Sequence, residues 1–208
     1  VLLDINATTE NREPDYKLIH DVADECFMPF SVGGGIKTVE QIRKVLLAGA
    51  DKVVLNTAAL ETPELIKEAS ETFGNQCIVV SLDVKRVGGE YKVFTHSGKS
   101  ESKYTFVDAA QMVESYGAGE LLVTRIEIDG SMTGYDSELL KLAVDSVSIP
   151  VIGGGGAKDY QDMHHAFDYS GADALAAAAM FHFTEQTPNE AKSYLCLLYT
   201  SPSPRDGN

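Results

Sequence analysis

One carboxylate and two runs of glycine carry the chemistry available to this chain. Asp83 closes the apolar run Cys77–Leu82, a poor position for a core residue and a good one for the mouth of a barrel. An acid at the C-terminal end of a strand can donate and accept protons there. The competing reading is an N-cap, or a salt bridge to Lys85 or Arg86. The glycine runs Gly33-Gly34-Gly35 and Gly153-Gly154-Gly155-Gly156 sit in matching surroundings, with Gly35 and Gly156 121 residues apart. The first leads through a helical stretch to Gly49-Ala50-Asp51 and an apolar run ending Asn56-Thr57-Ala58. The second leads through a helical stretch to Gly171-Ala172-Asp173 and a run ending Ala178-Ala179. A strand that ends in glycines ahead of a helix offers backbone N–H groups to an anion, and the helix dipole adds favourable potential. Having this device twice implies a duplicated scaffold for a ligand with an anionic group at each end, a bis-phosphate.

The elements that must hold these residues alternate along the chain. Apolar runs at Val1–Ile5, Met28–Val32, Lys52–Asn56, Cys77–Asp83, Glu120–Ile126, Ile149–Ile152 and Asp173–Ala178 read as strands. Between them, helical patterns cover Tyr16–Glu25, Val39–Ala48, Pro63–Phe73, Phe106–Tyr116, Ser137–Ser146 and Tyr160–Phe167. Thr62-Pro63 opens one helix, and Gly49, Gly74 and Gly117 follow helix ends. Val87–Gly98 alternates as a hairpin around Gly88-Gly89. Strands separated by helices imply a parallel sheet, and the strand–helix repeat favours an α/β fold of the (β/α)8 TIM-barrel type with an internal half-barrel repeat. By that repeat, a first strand–helix unit is expected to be missing ahead of Val1. Glu190–Leu195 reads as the start of a truncated last helix. The expected organisation is a partial barrel over 1–195, followed by a non-native or disordered tail over 196–208 that belongs to no pattern here.

Composition narrows the class. The chain is 208 residues long, 44% hydrophobic, with a formal net charge of −14 and without a Lys/Arg stripe, which argues against nucleic acid. Small phosphates remain compatible with an acidic protein, since backbone N–H groups supply local positive potential. No apolar stretch is long enough to span a membrane. Cys26, Cys77 and Cys196 lack metal-ligand or disulfide spacing, fitting a reducing cytoplasmic setting and core or near-core positions. No metal cluster and no cofactor motif is visible, so neither is expected.

Several segments agree in order and spacing with one known family: Leu3-Asp4-Ile5, Val32–Ile36, Gly49–Val53 with Asn56-Thr57, Asp83-Val84-Lys85-Arg86, Phe94–Gly98, Asp129-Gly130 with Gly134-Tyr135-Asp136, and Phe181-His182-Phe183. Over Val1–Leu195 the chain resembles the cyclase subunit of imidazole glycerol phosphate synthase, a (β/α)8 barrel of histidine biosynthesis. The resemblance implies a lyase that adds ammonia, released by a glutaminase partner in a heterodimer, to a ribulosyl-imine bearing two phosphates. The products are imidazole glycerol phosphate and an aminoimidazole carboxamide ribotide. Asp83 matches one of two aspartates that share the proton transfers. The other is expected on the missing strand, so the chain as it stands is expected to be inactive.

The same resemblance places one phosphate site around Gly35, Asn56 and Thr57, and the second around Asp129, Gly130, Gly155, Gly156, Ala157, Ala178 and Ala179. Ser97 and Thr124 fit polar positions near the ligand, and Asp4 fits a charge-tuning aspartate. Lys52 and Glu120 match a charged ring that gates ammonia at the far end of the barrel, and Asp51 a residue that contacts the glutaminase. The sequence departs from the family in three places: Arg125 stands where Ser is usual, Glu127 where Asp is usual, and Ala179 where Ser is common. An Arg in the mouth would bind an anion or pair with Glu127, and both readings stay open here. Three other readings compete: a paralogous ammonia-using subunit of surface amino- or amidino-sugar biosynthesis, favoured by Arg12–Tyr16 and Glu25–Pro29; the sister isomerase of the histidine pathway; and a non-catalytic scaffold that docks a glutaminase.

Overall fold

The computed structural model describes residues 1–8 and 10–200. Seven parallel strands run side by side in chain order: β1 (Leu2–Leu3), β2 (Ser31–Gly33), β3 (Lys52–Leu55), β4 (Ile78–Val87), β7 (Glu120–Arg125), β8 (Val151–Gly154) and β9 (Ala174–Leu175). A hairpin of β5 (Glu90–Thr95) and β6 (Ser100–Thr105) is attached antiparallel to the upper half of β4. Helices α1 (Tyr16–Glu25), α2 (Val39–Leu47), α4 (Glu64–Phe73), α5 (Phe106–Ser115), α6 (Ser137–Ser146), α7 (Tyr160–Ser170) and α9 (Pro188–Thr200) connect or follow the strands. Two one-turn helices, α3 (Thr57–Glu61) and α8 (Ala179–Phe183), begin directly after β3 and just beyond β9. This is the sheet-and-helix arrangement of a (β/α)8-type barrel; among the described residues β1 and β9 are not paired with each other.

Strand alternation sorts the interior into two layers. One face of the staves joins the helices in a large core that includes Val53, Leu55, Val80, Leu82, Leu121 and Val123. The other face points into the barrel, where Val54, Val79 and Leu122 form a separate cluster with Ile152 and Ala176 against it. Parallel register puts Asp83, Thr124 and Gly154 on one rung at the C-terminal end of that inner face. Five of the helices, α1, α2, α5, α6 and α7, have an orphan N–H met by a side chain at the N-cap: Asp15, Thr38, Thr105, Asp136 and Asp159 each accept from a backbone N–H three residues on.

Several boundaries differ from the sequence reading. The strand expected at Cys77–Asp83 runs on to Val87, because the hairpin pairs with its upper half. β6 was not expected at all. Thr62 is the C-cap of α3 rather than the N-cap of the next helix, which starts at Glu64 after Pro63. α9 continues through Thr200, five residues into the segment set aside as tail, and 201–208 lie outside the described residues. Cys26 and Cys77 are half-buried, as near-core residues should be, whereas Cys196 is exposed on α9.

Candidate functional site

The duplicated units end in the same local geometry. Gly34 and Gly35 have φ of +108° and +71°, and Gly155 and Gly156 both have +85°. Left-handed backbone is one reason for glycine here, and crowding is the other. A Cβ on Gly35 would lie 2.6 Å from the Arg12 carbonyl oxygen, and one on Gly156 only 2.2 Å from that of Gly134. The Gly134 N–H donates to the Gly156 carbonyl at 2.8 Å, tying the second cradle to the loop before α6. Asn56 and Ala178 cap α3 and α8, with matching backbone angles (φ −126° and −130°). Gly35 follows β2 while Asn56 and Thr57 follow β3, and Gly155, Gly156 and Ala157 follow β8 while Ala178 and Ala179 follow β9, the equivalent places in the second unit. Even the aspartates at the strand feet repeat. Asp51 accepts the Phe30 N–H at 2.7 Å, and Asp173 accepts that of Val151 at 2.9 Å.

Asp83 stands between these ends. Its carboxyl is half-buried and pushed up to about 6, first by desolvation and further by the nearby charge of Asp129, while the Asn56 side chain works in the opposite direction. Neither neighbouring cation neutralises it. The Lys85 ammonium donates to the Gly98 carbonyl at 2.7 Å, and Arg86 lies 3.7 Å from Glu138. A carboxyl near neutral in a mouth is able both to take up and to release a proton at physiological pH. Asp129 and Gly130 sit in the exposed turn after β7, close enough to Asp83 for the charge effect.

The hairpin tip overhangs the same mouth. The His96 N–H donates to Thr57 Oγ1 at 3.0 Å, and the Ser97 hydroxyl to the Ile5 carbonyl at 3.3 Å. Asp4 is held by Arg12 at 2.6 Å and by the N–H groups of Asn6 and Ala7, and these contacts, Arg12 foremost, keep its carboxyl below the usual range.

Arg125 does not face the mouth. It follows Thr124 on β7, so its side chain leaves the opposite face and reaches the helix layer. There Nη1 meets Asp136 at 2.7 Å, and Nε is 3.5 Å from Glu127. Asp136 is 8% exposed at its side chain; it also accepts from Tyr91 Oη at 2.9 Å and caps α6. Of the two readings left open, ion pairing holds, with Asp136 as a partner that the sequence had not singled out. A cavity of about 500 Å³ lies on this outer side and is lined by Arg125, Asp136, Glu138, His165 and Tyr169 but not by Asp83.

At the opposite end of the barrel the Lys52 ammonium bonds to Glu120. These are the first residues of β3 and β7 and reach each other across the foot of β4. Among the described residues no His/Cys/Asp/Glu group could hold a metal, and no helix is long and apolar enough to cross a membrane.

Comparison with known proteins agrees with this architecture. Residues 1–187 match the family described as histidine biosynthesis protein. Imidazole glycerol phosphate synthase subunit HisF of Prosthecochloris aestuarii is 46% identical over 195 residues, covering 94% of this chain and 78% of the relative. The proteins of the same name from Chlorobaculum parvum and Dehalococcoides mccartyi are 47% and 45% identical, with 94% of this chain again covered and 78% and 77% of the relatives. The chain belongs to the histidine biosynthesis protein family.

Proposed function

We propose that this protein is the cyclase of imidazole glycerol phosphate synthesis, an ammonia-dependent lyase acting on a bis-phosphorylated ribulosyl-imine. The observation that carries the reading is the placement of Asp83: a carboxyl that neither Lys85 nor Arg86 neutralises, raised to about 6, on the inner rung between two repeated glycine cradles. Gly35, Asn56 and Thr57 take one phosphate; Gly155, Gly156, Ala157, Ala178 and Ala179 take the other, with Asp129 and Gly130 at its rim. Short side chains there let phosphate oxygens approach backbone N–H groups. Thr124 and Ser97 orient the span between them. Asp83 takes a proton from the nitrogen that adds to the substrate and returns one to the departing aminoimidazole nitrogen. The raised value suits both directions of transfer.

Ammonia enters from the opposite end, past Lys52 and Glu120, from a glutaminase docked beside Asp51. The relatives are named as subunits, which supports a partner subunit. The deciding experiment supplies the bis-phosphorylated imine and free ammonium to the full-length protein, and follows imidazole glycerol phosphate across pH. Product formation with a kinetic limb near pH 6 supports the assignment; the absence of product at saturating ammonium refutes it.

A further inference from the structure

Lys85 has no part in the reaction outlined above, yet it occupies a commanding position. It follows Asp83 by two residues on β4, so both side chains leave the same face. Its ammonium nevertheless turns away, donating to the Gly98 carbonyl at 2.7 Å and standing 4.4 Å from the centre of the Phe94 ring. A carbonyl dipole and an aromatic face are both ligands for a cation. Gly98 ends the turn His96-Ser97-Gly98, in which three successive residues are left-handed, with φ of +53°, +55° and +75°. Such backbone is costly for the two residues that carry a Cβ, and it persists only where neighbours hold it. Here the neighbours come from all around the mouth. His96 bonds to Thr57 after β3, Ser97 to Ile5 after β1, and Gly98 abuts Ile126 after β7 so closely that a Cβ would lie 2.6 Å from Ile126 Cδ1.

We infer that Lys85 is a positioning residue, a strut that fixes the His96–Gly98 turn across the mouth and so sets Thr57 and Ser97 against the substrate. The identity of that substrate rests on the function proposed above. With an acceptor lone pair of Thr57 engaged by the His96 N–H, the hydroxyl proton has, among the described residues, a long 3.4 Å contact to Asn56 Oδ1, and can turn to a phosphate oxygen. Arg at position 85 could satisfy both the carbonyl and the ring, whereas Met has no donor for the carbonyl and no charge for the ring.

Hydrogen exchange over 94–100 and ammonium-supported kinetics test the strut in wild type, Lys85→Met, Lys85→Gln and Lys85→Arg. Lys92→Met is the control, since Lys92 faces Lys85 across the hairpin but pairs with Glu90 at 3.1 Å. Lys85→Met and Lys85→Gln are expected to speed exchange at His96–Gly98 by about tenfold or more and to raise the substrate KM about tenfold, with kcat held within about threefold. Lys85→Arg should restore both, and Lys92→Met should leave both unchanged. Should Lys85→Met not fold, Lys85→Gln decides alone. Unchanged exchange overturns the inference, as does faster exchange at constant KM or a loss confined to kcat. A wild type that turns over no substrate would remove the proposed reaction, while the exchange comparison would still decide whether Lys85 holds the turn.

Discussion

Replacing Asp83 with Asn should make the protein more stable and less active, by amounts that follow from one number. The carboxyl titrates at about 6 in the folded protein against 3.8 for an ordinary aspartate. Between those values the folded state keeps a proton that the unfolded chain has released, so folding stability falls as pH rises through the window. Integrated, the ionised group costs about 0.5 kcal/mol at pH 4, about 1.6 kcal/mol at pH 5 and about 3 kcal/mol at pH 7.5. Asn has nearly the same shape and no charge to desolvate. Asp83→Asn is therefore expected to gain those amounts, raising Tm by roughly 6–12 °C at pH 7.5 and hardly at all at pH 4. It also removes the proposed proton carrier, which should lower ammonium-supported turnover of the full-length protein by about 10²–10⁴-fold. Urea titrations of both proteins at the three pH values, paired with turnover at pH 7.5, provide the check. A variant less stable than wild type at pH 7.5, or a stability difference that stays flat from pH 4 to 7.5, would refute the reasoning.

Arg125→Ala should destabilise by about 2–4 kcal/mol, because it strips a charge partner from nearly buried Asp136, yet leave the substrate KM unchanged. Denaturation and steady-state kinetics together check this, and a large rise in KM would return Arg125 to the ligand site. Gly156→Ala meets a carbonyl at 2.2 Å as well as a positive φ, while Gly130→Ala meets open space at φ +73°. The first is expected to cost more than about 3 kcal/mol and the second about 1 kcal/mol, and equal losses in urea denaturation would contradict the crowding argument. Lys52→Met should barely change turnover with free ammonium but should impair turnover supported by glutamine and a partner glutaminase; a parallel fall in both would argue against a gate.

What could be read in advance depended on the range of the interaction. α1 and α6 have the bounds that periodicity and a preceding aspartate imply, Tyr16–Glu25 and Ser137–Ser146, because capping and amphipathic spacing are local. The repeat of Gly35 in Gly156, and of Asp51 in Asp173, was visible because identical residues recur at nearly the same interval, 121 and 122 positions. β6 was not visible: Ser100–Thr105 is a largely exposed hairpin edge whose residues, mostly polar, carry no apolar alternation. α3 and α8 are too short for a helical period to register. The aim of Arg125 turned on strand parity, and its partner Asp136 lies across a loop that periodicity does not describe. Lys85 was noted only as a neighbour of Asp83, since its bond to Gly98 exists only once the hairpin has folded back over the mouth.

The inner belt of Val54, Val79 and Leu122 separates the Lys52–Glu120 foot from the Asp83 rung, and this has a consequence for whatever travels along the axis. An ion entering that stretch must surrender most of its water to walls that are largely hydrocarbon, at a cost of several kcal/mol even after relaxation. An uncharged molecule of the same size gives up far less. If a small amine takes this route, as the proposed function requires, the belt would favour its free base over its conjugate acid and act as a dielectric sieve.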